Sequence, residues 1–139
     1  MSNLKTVLWA FVTADAGVAA LIADRLYPAG EVPASAARPY ITYQMIDSPR
    51  ERHQGGACSL YRPRVQFDIW ADSELEAAQI ADALEARLEA YTGSMVSGGI
   101  TVSVRRACMQ DENDAWEPPQ RAEEKGIFRI TQDYVLWHI

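Results

Sequence analysis

The stretch Arg64-Val65-Gln66-Phe67-Asp68-Ile69-Trp70-Ala71-Asp72-Ser73-Glu74-Leu75-Glu76 holds a strand and the start of a helix back to back. In its first half Val65, Phe67 and Ile69 alternate with Gln66 and Asp68, the period of two expected of a strand with one buried face. In its second half the period changes. Ser73 followed three residues later by Glu76 fits a capping box, in which each end of the pair satisfies a helix N–H. Leu75, Ala78, Ala81, Leu84, Leu88 and Tyr91 then mark an apolar stripe, with Glu76, Asp82, Glu85 and Glu89 turned to water. Gly93 stands where a glycine is expected to end this helix.

Upstream, a first strand is expected over Pro39–Ile46, dense in β-branched and aromatic residues, and a second from about Tyr61 to Trp70. Residues Asp47 to Leu60 hold Pro49, Gly55 and Gly56 and predict a long hairpin loop. Further upstream, Leu4, Val7, Leu8 and Phe11, then Val18, Leu21 and Ile22, follow helical spacing. Asp15-Ala16-Gly17 interrupts them, so the opening reads as two short helices or one broken helix, with Asp15 as a cap. Downstream of Gly98-Gly99, Ile100, Val102 and Val104 predict a third strand, with an extension to Met109 left open. A fourth is expected from about Gly126 to Trp137, and the polar, acidic segment Gln110–Lys125 reads as a loop. The order α-β-β-α-β-β predicts an α+β fold: a four-stranded, mainly antiparallel sheet with two helical segments packed on one face. A length of 139 residues suits one domain over residues 1–139.

Composition narrows function. The net charge of −6 argues against general nucleic-acid affinity, which needs concentrated Lys and Arg. No apolar run is long enough to span a bilayer, and Met1-Ser2-Asn3-Leu4-Lys5 lacks the marks of a secretion signal, so a cytoplasmic protein is expected. Cys58 and Cys108 are far apart and form no CxxC pair, as free thiols in a reducing compartment would.

No catalytic pattern emerges. His53 and His138 are the only histidines and sit at no metal-ligand spacing; they read as isolated surface side chains. Cys58 near His53 lies in the predicted loop, which is a poor platform for a preorganised nucleophile and base. Asp111, Glu112 and Asp114 lack the alternating ligands, central glycine and closing glutamate of a calcium loop. Neither a catalytic residue nor a metal or cofactor site is therefore assigned.

Two segments stand out as interaction surfaces. Arg50, Arg52, His53, Arg62 and Arg64 concentrate positive charge in an acidic chain, while Asp111, Glu112, Asp114, Trp116, Glu117, Glu123 and Glu124 do the opposite. Such a pair suits head-to-tail contact between identical copies, which closes into rings. Trp70 and Trp137 are candidates for the sheet or for a subunit interface.

Taken in order, the segments Ala14–Leu21, Asp24-Arg25-Leu26-Tyr27-Pro28, Arg38-Pro39-Tyr40-Ile41-Thr42-Tyr43, Arg64–Asp72 and Gly126–Val135 resemble the family of siphophage tail-completion (tail-terminator) proteins over nearly the whole chain. The resemblance implies a small α+β structural protein with no catalytic residues and no cofactor. It would form a ring, commonly a hexamer, on the head-proximal end of the tail tube. That ring would stop tube polymerisation, meet head-completion proteins, and let DNA pass through its lumen as cargo. A prophage, a gene-transfer particle or a contractile-tailed relative is expected to leave the same pattern. Another head–tail connector subunit, such as a stopper, is the nearest alternative, and a small enzyme or binding module a more distant one.

Overall fold

The computed structural model describes residues 2–47, 50–53, 56–119 and 126–139, with the side chains of residues 2, 50–53 and 56–59 outside that description. Among the described residues the fold is mixed α+β, with three helices and one sheet. Helices α1 (Ser2–Thr13) and α2 (Ala16–Ile22) meet at a bend of 84°. Asp15 makes the break: its carboxylate accepts the Val18 N–H at 3.0 Å and so starts the second helix. Ser73 caps helix α3 (Glu74–Leu88), its hydroxyl accepting the Glu76 N–H at 3.2 Å, which is one half of the predicted capping box.

Among the described residues the sheet has eight strands rather than the expected four. Strand β1 (Leu26–Pro28) pairs in parallel with β2 (Tyr40–Asp47), and β2 is antiparallel to β5 (Arg64–Ala71). Strand β8 (Ile127–His138) runs antiparallel to β5 on one side and to β7 (Ile100–Glu117) on the other. Strand β6 (Gly93–Ser97) pairs with the start of β7. The segment expected to be a hairpin loop contributes β3 (Arg50–His53) and β4 (Gly56–Tyr61), which pair with each other. Tyr61 of β4 pairs with His138 in the same register that Arg64 keeps with Val135. Strands β4 and β5 are thus one line interrupted at Arg62-Pro63, and β2–β3 with β4–β5 form one long ribbon.

The first half of the expected acidic loop is strand: residues 111–117 of β7 pair with residues 127–133 of β8. The two form a long hairpin, kinked where Met109 and Asp111 change register. Gly93 does not end α3. The helix stops at Leu88, Ala90 takes the left-handed turn at φ 62°, and Gly93, at φ 147°, opens β6.

All three helices cover one face of the sheet. Ile41, Tyr43, Val65, Phe67, Ile69, Tyr134 and Leu136 meet Leu4, Val7, Leu8, Val18, Ile22, Ile80 and Leu84 in a continuous core. Burial of this size dominates the stabilisation, each fully buried aliphatic side chain contributing about 1.5–3 kcal/mol. The buried stripe of α3 is Ala77, Ile80, Ala81, Leu84 and Leu88, rotated from the predicted one, and Leu75 is 70% exposed. Among the described residues no single helix is long and apolar enough to cross a membrane.

Candidate functional site

The face of the sheet opposite the helices, bare among the described residues, is built from the members of each alternating strand that point away from the core. Trp70 stacks on Tyr40, with ring centroids 6.3 Å apart, and donates its indole N–H to Thr42 Oγ1 at 3.1 Å. The Arg129 guanidinium lies 5.2 Å from the Trp70 ring centroid and 3.8 Å from the Glu117 carboxylate. Asp68 accepts hydrogen bonds from Thr131 and Gln66. Tyr40, Gln66, Asp68, Trp70, Arg129 and Thr131 are half-buried, Thr42 is buried and Glu117 is exposed.

Arg64 belongs to this face and not to the basic arm. Its guanidinium pairs with Asp133 at 2.6 Å, which neutralises it locally. Arg62, at the interruption between β4 and β5, is exposed and lies 5.8 Å from the Trp137 ring centroid. Arg50, Arg52 and His53 lie on β3; Cys58 is on β4. His138 is no surface histidine: it is 6% exposed, stacks on Tyr61 at 5.2 Å, and burial pushes its pKa down. Among the described residues no three His, Cys, Asp or Glu side chains converge as a metal set.

On the acidic side, Asp111, Glu112, Asp114 and Trp116 all sit on the distal half of β7 and are exposed. Asp111 accepts the Glu112 N–H and the Asn113 amide at 3.0 Å each, which braces the register change. Glu112 instead reaches toward the core, where its carboxylate accepts the Gln132 amide at 2.6 Å. Trp116, 55% exposed, stands 6.4 Å from Phe128. Its indole edge occupies the space a side chain at residue 126 would need, so only glycine fits there. With Glu74, Ala77, Asp114 and Ile130 these rings line a cavity of about 270 Å³ at the start of α3. Glu123 and Glu124 lie outside the described residues.

The basic and acidic segments do not meet within one chain. Strand β7 and the β1–β2–β3 line are on opposite sides of β8, so the two charged segments occupy opposite edges of the sheet. Sequence reasoning located both segments by charge but missed their strand character and the network on the bare face.

A family model described as "Tail completion protein gp17" matches residues 6–134. The chain belongs to this tail-completion family. A solved chain described as "Virion of native gene transfer agent (GTA) particle" is 18% identical and superposes at a TM-score of 0.71, over 96% of this chain and 92% of that one. A second solved chain, 19% identical over 97% of this chain and 91% of its own, gives a TM-score of 0.49. None of the curated protein sequences matches. The gene-transfer-particle likeness is one of fold; the family match carries a structural role in a phage-type tail.

Proposed function

We propose that this tail-completion protein is a non-enzymatic ring subunit that caps the head-proximal end of a tail tube. As one domain over residues 1–139, it ends tube polymerisation and presents a surface to the head-completion proteins. Its partners are other copies of itself, most simply six, together with the tube protein and the head-side connector; DNA is only cargo through the lumen. It assembles in the host cytoplasm and remains in the virion at the head–tail junction, away from any membrane. Arg50, Arg52, His53 and Arg62 on one side, and Asp111, Glu112, Asp114 and Trp116 on the other, are the contact residues between copies or with neighbours.

The observation that carries this reading is the family match over residues 6–134. It is supported by opposite charge on opposite sheet edges, an arrangement that favours heterologous, ring-closing contacts over two-fold ones. Light scattering over a concentration series, joined to a tube-growth assay, tests it. A discrete ring-sized species, or tubes halted at a fixed length by added protein, is the expected result. Charge reversal by Arg50→Glu and Arg52→Glu is expected to weaken both. A protein that neither assembles nor halts tube growth would refute the reading.

A further inference from the structure

The distal half of β7 is an open edge. Strand β6 covers only residues 100–104 of β7, Ala90 and Tyr91 bond the main chain of Ala107, and the Glu89 carboxylate takes the Met109 N–H at 2.8 Å. Beyond that point, among the described residues, β7 pairs with β8 alone through Glu117. One row of its main-chain donors and acceptors therefore faces outward over residues 110–117. Such a row is a template for another strand, and proteins ordinarily blunt it. Here Asp111 and Asp114 stand along it, while the carboxylates of Glu112 and Glu117 turn to Gln132 and Arg129.

Those charges choose the partner. Two β7 edges brought together antiparallel would set Asp111 and Asp114 of one copy against those of the other, so the two-fold pairing is repelled. Among the described residues β1, β6 and β3 also pair with one strand each, and the basic one of these is β3, on the far side of the sheet. Its sequence, Arg50-Glu51-Arg52-His53, has the opposite sign. We infer that β3 of one copy adds as a strand to the β7 edge of the next, at residues 110–117. The sheets of neighbouring subunits then become continuous around the assembly. Main-chain hydrogen bonds supply the affinity, and the Arg–carboxylate pairs across the new strand pair set direction and register. This inference rests on the ring reading above and specifies its contact.

The test uses Arg52→Cys with Asp114→Cys in one chain that also carries Cys58→Ser and Cys108→Ser. The two new thiols sit on opposite edges of one sheet, so a short bismaleimide joins them only between copies. The expected result is a ladder of covalent multimers from rings or capped tubes, seen on a denaturing gel. Rings or fully capped tubes that yield monomer alone would overturn the strand pairing while leaving the capping function intact. Hydrogen exchange on the unmodified protein covers the case in which the cysteine variant does not assemble. Amides of residues 50–53 and 110–117 should slow at least about tenfold on assembly, as newly paired strand amides do; unchanged exchange in both segments overturns the inference. A wild-type protein that never forms a ring or caps a tube removes the function and the contact together.

Discussion

Gln132 is a polar side chain wholly inside the core, and replacing it tests whether the hydrogen bonds there act as a unit. Its amide donates to the Ala81 carbonyl at 3.2 Å and to the Glu112 carboxylate at 2.6 Å, while its carbonyl accepts the Tyr134 hydroxyl at 2.9 Å. The trio thus links α3 to β8 and to the exposed part of β7. Gln132→Met keeps the volume nearly constant, so packing losses stay small. It strands the Tyr134 hydroxyl in an apolar environment, at about 1.5 kcal/mol, and removes the charge-assisted bond to Glu112, worth about 1 kcal/mol once its exposed carboxylate is discounted. The expected cost is therefore about 2.5 kcal/mol. Tyr134→Phe alone leaves the Gln132 carbonyl without its donor, at about 1.5 kcal/mol. The double variant makes both partners apolar and should cost only about 2 kcal/mol, leaving a coupling of about 2 kcal/mol. Urea unfolding gives these numbers directly, at a protein concentration where the mass does not change across the series. Additive losses, with a coupling under about 0.5 kcal/mol, would refute the argument that the two side chains satisfy each other.

Three further outcomes follow from the fold. Burial holds the His138 pKa below its ordinary value, so the unfolded chain takes up a proton first as pH falls below about 6.5. Stability should drop below that pH, and His138→Phe, which keeps a ring against Tyr61, should remove this part of the drop in paired unfolding curves. Arg64→Ala leaves the Asp133 carboxylate, nearly buried and with Oδ1 already lacking a hydrogen-bond partner, without its cation. With Arg64 itself half-exposed, a loss of about 1–2 kcal/mol is expected in urea, and no loss would mean that water replaces the guanidinium. Leu75→Ser should change stability by less than about 0.5 kcal/mol, whereas Ile80→Ala should cost about 2–4 kcal/mol; the reverse order would mean that α3 is rotated from the orientation described.

The central strand, the α3 cap and the broken opening helix were legible because each carries its own signal: alternation in Val65–Ile69, Ser73 before Glu76, and Asp15 at the interruption. Strands β3, β4 and the distal half of β7 were not. All of residues 111–117 except the half-buried Ala115 are exposed, so no period of two marks them, and their strand state comes from pairing with residues 127–133 of β8. The phase of α3 was misjudged by anchoring the stripe on Leu75, although Ala77, Ile80, Ala81, Leu84 and Leu88 satisfy the same spacing and carry the burial. At the candidate site, the separation of charge could be read from composition. The capture of Arg64 by Asp133 could not, because the partners are 69 residues apart and meet only through strand register.

The acidic edge and the basic arm are not level with each other. Asp114, at the middle of the acidic edge, pairs with Ile130, while Tyr61, where the basic arm leaves the body, pairs with His138, eight residues further along β8. At a rise of roughly 3.4 Å per residue, the arm begins some ~27 Å below the edge it would join. Copies linked through these edges can close only if that offset is taken up by shear, with every strand leaning away from the symmetry axis as staves do in a sheared barrel. The direction of that lean is set by the direction of the offset, and the two rims of such a ring differ in shape as well as in residues. Subunits of this kind could stack on a tube in one polarity only.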